Sequence, residues 1–411
     1  MQVMEMKRGA HRRSSLLVAG AIIGLAALGH LALRGRAPVS DEYFYYPQIL
    51  EFASGSFALD PMITSLPGYY LVMSGFASLF GLESLDSLRG VTLLFALLLM
   101  VVFHRCSRRL DPALAPVRTL QLFLLPVLSP LLFILYTDPF SLLLLMFAFL
   151  ECLRGRYHSC AIAATLSLVV RQTNIFWLAM LFAMTVVETH GAIRPETLLR
   201  HARRYWGFVL GFAGFALFVL LNHGVAMGDT KHHPAFSVHL GNLFFWLLMY
   251  WVLFLPSNLA NLGRIVRLVR RRPWIVAGIV ALFVAYMLSY RADHPYNDPV
   301  GEDWYLRNRI LGLTVAPTLA KVATFVPVAW AALSLGVTRL QRRSLYLLYP
   351  FTALSLVFVW LIDPRYYVSS MALLILGKRS EGSWVEWVTV VWFLVITVYL
   401  YLGSISGEFF L

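Results

Sequence analysis

Two adjacent carboxylates, Asp41 and Glu42, stand just after the first long apolar run, in the stretch DEYFYYPQ. An acid–proline pair, Asp60-Pro61, and a Leu-Pro-Gly turn follow in the same loop. Acidic side chains between membrane spans are costly to keep near lipid, so by default they indicate a functional site. One such carboxylate can act as a general base that takes a proton from a hydroxyl group. For this pair taken alone, a solvated loop that merely begins with two acids is the alternative.

Polar and basic side chains recur in the later loops. Cations there would stabilise the negative charge that develops on a departing phosphate group. The candidates for binding substrate or phosphate are Asp60, Arg171, Gln172, Asn174, Lys231, His232, His294, Arg307, Arg309, Lys321 and Arg365. Each has a structural alternative. Gln172 and Asn174 could satisfy backbone groups at a helix end, and Arg365 could extend to the membrane surface.

The sequence shows no spacing typical of a metal site. His232-His233 lacks an acid at ligand spacing, and Cys106, Cys152 and Cys160 lie at the ends of apolar runs. We therefore expect no metal, no disulfide and no cofactor. A Gly-rich phosphate loop is also missing, which argues against a nucleotide-sugar donor.

The elements that must position these residues are membrane helices. The chain has 411 residues, is 59% hydrophobic and only 13% charged, and its mean hydropathy is +0.71. Soluble globular proteins do not have this composition. Apolar runs recur along the whole length and predict an all-α, polytopic transmembrane bundle of about 13 spans. The net charge of +13 lies in short clusters between the runs and does not indicate a nucleic-acid partner.

We interpret residues 1–411 as one membrane domain. The run at 16–33 is longer than the core of a signal peptide and reads as a retained first span. When loops are assigned alternately to two sides, most of the 34 Lys and Arg fall on the side of the N-terminus, which predicts that it is cytoplasmic. The first extracytoplasmic loop is then 34–88, within which 67–80 is too short to cross and lies on the surface or re-enters. Spans are predicted at 119–136 and at 243–260, and several of the spans are shorter than the usual 20 residues, which predicts that they are kinked or tilted.

This topology places every loop of mixed polar chemistry on the extracytoplasmic face. A transporter more often has its key polar groups near the middle of the bilayer. A cluster at one face suits an enzyme whose lipid-borne substrate reacts at the interface. A lipid or sugar transporter and a non-catalytic scaffold remain the alternatives from other classes.

Several motifs, in order along nearly the whole chain, resemble the family of dolichol-linked-oligosaccharide α-1,2-glucosyltransferases. The first, DEYFYYPQ at 41–48, resembles the family's DE-x-F-H-x-PQ, and DPMITSLPGYYL at 60–71 resembles its WDP-x-ITTLPGLY. The later ones are YTDPFS at 136–141, VRQTNIFW at 170–177, GDTKHH at 228–233 and DPRYY at 363–367. Tyr45 stands where the family has His, and Leu59 where it has Trp. The loop at 294–309 matches loosely, and a long cytoplasmic insertion typical of eukaryotic members is missing.

The resemblance implies a GT-C fold whose first extracytoplasmic loop carries the base. It implies an inverting, metal-independent transfer of glucose from a polyprenyl-phosphate (dolichyl) donor to a lipid-linked oligosaccharide, in the assembly of the N-glycosylation precursor. The membrane would be the endoplasmic reticulum of a eukaryote or the inner membrane of a bacterium. The sequence leaves open which of Asp41 and Glu42 is the base. Another GT-C enzyme, using the same lipid chemistry with a different acceptor, is the nearest alternative.

Overall fold

The computed structural model describes residues 2–234, 237–298, 308–315 and 318–406, with 2–12, 197–199 and 404–406 described by backbone only. Throughout this part the ordered elements are helices, apart from one isolated antiparallel bridge between Leu340 and Lys378. The predicted all-α class is confirmed.

Ten α-helices precede residue 223: α1 Gln2–Leu33, α2 Glu42–Ala53, α3 Gly68–Phe80, α4 Leu85–Leu110, α5 Ala115–Phe123, α6 Thr137–Leu153, α7 Tyr157–Val170, α8 Ile175–His190, α9 Pro195–Arg200 and α10 Ala202–Asn222. Nine more follow in the described residues: α11 Gly241–Leu253, α12 Leu255–Ala260, α13 Leu262–Arg271, α14 Trp274–Ser289, α15 Arg309–Val315, α16 Thr318–Val337, α17 Leu348–Val357, α18 Val368–Gly377 and α19 Ser383–Ser406.

The chain divides into two compact units. The first comprises Met1–Phe123, Leu128–Ala235 and Ser344–Phe351, and the second comprises Leu124–Val127, Phe236–Arg343 and Thr352–Leu411. Helices α1 to α10 therefore belong to the first unit, while α17 is divided between the two. That the whole chain acts as one membrane domain stays a prediction.

Five helices of the described part are long and apolar enough to cross a membrane: Arg13–Leu33, Leu85–Leu110, Ala202–Asn222, Thr318–Val337 and Ser383–Gly403. A sixth span is possible if α13 and α14, which meet at a bend of 110°, count as one. The chain is accordingly an integral membrane protein. The count of about 13 spans stays a prediction, because many of the other apolar runs form shorter or broken helices.

The run at 119–136, which was predicted to be a span, is not one helix. Helix α5 ends at Phe123, and the chain continues irregularly to a short 3₁₀ helix at Ser129–Leu132. Pro126 and Pro130 explain the break, because proline has no backbone N–H and its ring clashes with the carbonyl four residues earlier in a helix. The segment is nevertheless fully buried, which is why its composition resembles that of a span.

The run at 243–260 is likewise interrupted, since α11 ends at Leu253 and α12 begins at Leu255 with Pro256 in its first turn. The apolar run at 67–80, predicted to be too short to cross, forms the 13-residue helix α3. It ends at Gly81, whose φ of 64° lies in the left-handed region that glycine adopts readily.

The predicted loop 34–88 is thus largely folded. Helices α2 and α3 pack together over one hydrophobic cluster, which also includes Phe95 of α4. The buried side chains of this cluster include Ile49, Phe52, Tyr70 and Met73. Burial of such side chains contributes about 1.5–3 kcal/mol each, so the loop is a rigid platform for the acidic pair.

Candidate active site

The chain turns sharply just before the acidic pair. Ser40 has a φ of 50°, which non-glycine residues seldom adopt and which occurs preferentially at functional sites. The turn leads into α2, and Asp41 occupies its N-terminal cap position. Asp41 is half-buried, so the residue is in part accessible from the surface.

Aromatic side chains hold Asp41 in place. The Tyr45 hydroxyl donates a hydrogen bond to Asp41 Oδ2 at 3.0 Å, one helical turn away. The backbone N–H of Asp41 donates to the Tyr136 hydroxyl at 3.3 Å. The Tyr45 ring also packs edge-on against Tyr70 and Tyr136, with centroids 5.3 and 5.8 Å away. These contacts fix the position of the carboxylate relative to α2.

Glu42, in contrast, is fully buried and tightly bound. Arg89 of α4 donates to both of its oxygens, from Nε to Oε1 at 3.0 Å and from Nη2 to Oε2 at 2.5 Å. The backbone N–H groups of Leu135 and Val39 donate to the same two oxygens, at 2.7 and 2.9 Å. The Glu42 carboxylate is therefore occupied by four donors, which suits a structural anion rather than a proton acceptor.

Arg89 joins several segments to this anion. Its remaining N–H groups donate to the carbonyl oxygens of Leu33, Arg36 and Ala37, at 3.1–3.2 Å. All five donors of the guanidinium are thereby used. The end of α1, the following segment and the start of α2 are tied to one point on α4, and that point orients Asp41.

Arg171, a predicted phosphate ligand, forms an ion pair with Asp138. Asp138 lies in the first turn of α6 and is buried, whereas the Arg171 side chain is 15% exposed at the end of α7. Asp138 Oδ2 is buried and, among the described residues, makes no hydrogen bond. Since Tyr136 precedes Asp138 by two residues, the motif at 136–141 connects the Asp41 and Arg171 sites.

The neighbouring amides bind backbone. Gln172 Nε2 donates to the carbonyl oxygens of Thr64 and Val225, at 2.5 and 2.9 Å. Asn174 is buried, and its Nδ2 donates to Ser141 Oγ and to the Ser167 carbonyl oxygen. Gln172 thereby joins the loop at 60–66 to the loop at 223–234.

These two loops are in direct contact. The N–H of Asp229 donates to the Pro61 carbonyl oxygen at 2.8 Å. The N–H of Met227 donates to the Thr64 carbonyl oxygen at 3.1 Å. A Cβ on Gly228 would lie 2.2 Å from the Pro61 oxygen, so only glycine permits this approach. Asp229 itself has a φ of 42°.

The predicted residues of these loops have different surroundings. Asp60 Oδ1 accepts a hydrogen bond from the N–H of Met62 at 2.8 Å, which closes the turn before Ile63. His232 Nδ1 lies 2.6 Å from Asp229 Oδ1. Lys231 is exposed beside this pair. Among the described residues, no group of three or more His, Cys, Asp and Glu side chains is arranged to hold a metal ion.

The other predicted residues belong to the second unit. His294 is fully buried, and its Nδ1 accepts a hydrogen bond from the N–H of Tyr296. Arg365 Nε lies 2.7 Å from Asp363 Oδ2. Lys321 donates to the Met287 carbonyl oxygen at 3.1 Å. Arg309 is exposed at the start of α15, and Arg307 lies outside the described residues.

Sequence reasoning did not assign three residues that the structure brings to the site: Arg89, Tyr136 and Asp138. An arginine within an apolar helix requires an acidic partner, so a buried ion pair of Arg89 could have been expected from the sequence. A basic partner for Asp138 could have been expected in the same way, since Asp138 lies in the first turn of an apolar helix, in the motif at 136–141. No local pattern links Tyr136 to Asp41, because 95 residues separate them.

The model of the DIE2/ALG10 family matches residues 36–198 and 191–376. Curated proteins similar to the chain include the Dol-P-Glc:Glc(2)Man(9)GlcNAc(2)-PP-Dol alpha-1,2-glucosyltransferase of Mus musculus, 27% identical over 72% of this chain and 74% of its own. The protein of the same name from Drosophila melanogaster is 23% identical over 90% and 91% of the two chains. Among solved structures, ArnT from Cupriavidus metallidurans in the apo state matches 94% of this chain and 77% of its own, with 17% identity and a TM-score of 0.45.

Proposed function

We propose that this chain, which belongs to the DIE2/ALG10 family, transfers a glucosyl residue from a polyprenyl-phosphate donor to a lipid-linked oligosaccharide. The linkage formed is α-1,2, with inversion at the anomeric carbon and without a metal ion. The names of the relatives from mouse and fly support the donor, the acceptor class and the linkage. The observation that carries the mechanism is that Asp41 is half-buried and surface-accessible while its neighbour Glu42 is enclosed by four donors.

Asp41 is the proposed general base. Its carboxylate takes the proton of the acceptor hydroxyl as that oxygen bonds to the anomeric carbon of glucose. The bond from this carbon to the phosphate oxygen breaks on the opposite side, and the electron pair leaves with the polyprenyl phosphate. Attack opposite the leaving group inverts the configuration. Glu42 acts through Arg89, since the buried pair sets the start of α2 and hence the position of Asp41.

Cations near the departing phosphate stabilise its developing charge. Arg171 is the proposed ligand of the first unit, and Lys231 is an exposed second cation there. Arg307, Arg309, Lys321 and Arg365 stay proposed as substrate- or phosphate-binding residues on the sequence pattern alone, and Arg307 lies outside the described residues. Gln172 and Asn174 position the loops, and Asp60, His232 and His294 complete the proposed set of substrate-binding or positioning residues.

The proposed setting is a GT-C fold of about 13 spans with a cytoplasmic N-terminus. The segment 34–88 then faces the lumen of the endoplasmic reticulum or, in a bacterium, the periplasm. Both lipid-linked substrates would reach the site from the luminal or, in a bacterium, the periplasmic leaflet of that membrane.

A transferase of the same chemistry with another acceptor or sugar is the second candidate. Tyr45 favours it, because this residue stands where the family motif has His and because its hydroxyl hydrogen-bonds to Asp41. A replacement beside the proposed base changes the surroundings of the incoming hydroxyl.

Purified protein incubated with polyprenyl-phosphate glucose or mannose and a panel of lipid-linked acceptors tests both candidates. The proposal expects glucose transfer to a lipid-linked oligosaccharide, with the new linkage identified by α-1,2-specific glucosidase digestion and NMR. Transfer of mannose, or transfer to another acceptor alone, would support the second candidate. Movement of the donor across vesicle membranes without transfer would overturn both and indicate a transporter.

A further inference from the structure

A groove of about 420 Å³ lies between α1 and α4 in the first unit, with Thr119 of α5 contributing to its wall. It contains none of the residues assigned to the proposed reaction. Its apolar lining consists mainly of Val18, Ile22, Ile23, Leu97, Met100 and Val101. Because α1 and α4 are both candidate spans, an apolar groove between them faces the hydrocarbon region of the membrane.

One end of the groove is basic. Arg105 and Arg108 line it and are exposed on successive turns of α4. In the described part of the chain, neither arginine has an acidic side chain within ion-pair distance. His104 adds a polar group, with Nδ1 3.0 Å from Thr119 Oγ1. Within the described side chains, the groove therefore combines an apolar channel with two cations that have no acidic neighbour at its mouth.

The groove and the acidic pair lie at opposite ends of α4. Arg105 follows Arg89 by 16 residues, which corresponds to about 24 Å along the helix. Helix α1 runs antiparallel to α4, because Leu33 contacts Arg89 while Ser15 lies at the groove. From Ser15 to Ile23 the groove extends about 12 Å along α1, close to the depth of one leaflet's hydrocarbon, which is about half of 30 Å.

We propose that this groove binds one anionic phospholipid, taken from the leaflet opposite the Asp41 end of α4. Its phosphate contacts Arg105 and Arg108, and one acyl chain lies between α1 and α4. Two exposed arginines that have no acidic partner among the described side chains match an anionic headgroup, whereas a zwitterionic headgroup would bring its own cation towards them. The ligand differs from the proposed substrates in leaflet and in position, so the proposal stands apart from the proposed function.

Native mass spectrometry of the full-length protein in detergent, titrated with phosphatidylglycerol or phosphatidylcholine of identical acyl chains, tests the proposal. The wild type should bind the first phosphatidylglycerol more tightly than phosphatidylcholine. Each arginine near a lipid headgroup contributes about fivefold in affinity, so Arg105→Ala with Arg108→Ala should weaken phosphatidylglycerol binding roughly 30-fold. The matched control is Arg270→Ala with Arg271→Ala, which removes the same charge from an exposed helix end and should leave binding unchanged.

A second variant tests the channel rather than the charge. Ala19 lines the groove and is exposed, so Ala19→Trp should fill it without altering any cation. We expect loss of the tight phosphatidylglycerol site with an unchanged melting temperature in lipid-free detergent. Equal affinity for the two lipids would overturn the proposal. So would equal losses in both double-arginine variants, or full phosphatidylglycerol affinity in the Ala19 variant.

Discussion

Glu42, at the start of α2, and Arg89, in the first turns of α4, form a fully buried ion pair in which both carboxylate oxygens accept from the guanidinium. The pair separates the roles of two carboxylates that are adjacent in sequence. Both oxygens of Glu42 accept from Arg89 and from two backbone N–H groups, whereas Asp41 Oδ2 accepts a hydrogen bond from the Tyr45 hydroxyl and the residue is half-buried.

The Glu42–Arg89 pair should dominate the stability of the segment 34–88. We expect Glu42→Gln and Arg89→Ala each to lower the free energy of unfolding by about 3–5 kcal/mol, because each leaves a buried partner uncompensated. Thermal unfolding in detergent, followed by tryptophan fluorescence, measures the effect. Glu83 is an exposed glutamate of the same segment, so Glu83→Gln is the control and should change the free energy of unfolding little. Normal melting of the Glu42 variant would show that the pair does not anchor the loop.

Asp41→Asn should lower transfer by about 10²–10⁴-fold, the usual contribution of a general base, because it keeps the shape of the side chain but removes proton acceptance. The melting temperature and the binding of polyprenyl-phosphate glucose should be nearly unchanged. Initial rates with saturating donor, together with a donor-binding titration, provide the measurement. Transfer at the wild-type rate would eliminate Asp41 as the base.

Arg171 and Asp138 allow a test of whether the arginine acts on the substrate or only neutralises a buried acid. Arg171→Gln should lower turnover by about 10²–10³-fold if its charge stabilises the departing phosphate. Pairing it with Asp138→Asn removes both charges. We expect the double variant to regain the melting temperature lost in Arg171→Gln but not its transfer rate. Recovery of turnover in the double variant would assign Arg171 a structural role.

Gly228 controls the contact between the loops at 60–66 and 223–234. Gly228→Ala should destabilise the protein by about 1–3 kcal/mol and impair transfer, because the new Cβ would collide with the Pro61 carbonyl oxygen and one loop must move. Gly224→Ala is the matched control, since a Cβ there has no atom within 4 Å. Melting temperatures and transfer rates of the two variants are compared. Equal behaviour would mean that the loop contact is dispensable.

The proposed topology is accessible to cysteine labelling. Cys106, Cys152 and Cys160 are all buried, so the background should be low. We expect Ser56→Cys and Lys231→Cys to react with an impermeant thiol reagent on the luminal or periplasmic side. Arg270→Cys should react only from the cytoplasmic side. The reverse pattern would invert the orientation derived from the basic loops.

The sequence alone was sufficient for the helical class, for the membrane setting and for the stretch that carries the acidic pair. These properties depend on composition, on the lengths of apolar runs and on short motifs, all of which are local along the chain. Proline positions also held information about helix breaks. Pro126 and Pro130 fall within the apolar run at 119–136, which is therefore not one helix.

Partners distant in sequence were decided by the tertiary structure alone. Glu42 meets Arg89 across 47 residues, and Arg171 meets Asp138 across 33. No periodic pattern in the sequence identifies either partner. A buried charge requires an opposite charge, but it does not specify where in the chain that charge lies. The sequence therefore determined that a pair of carboxylates follows the first apolar run. The folded structure decided which of two neighbouring carboxylates is enclosed by donors and which keeps access to the surface, because burial and hydrogen bonding arise only when distant segments pack together.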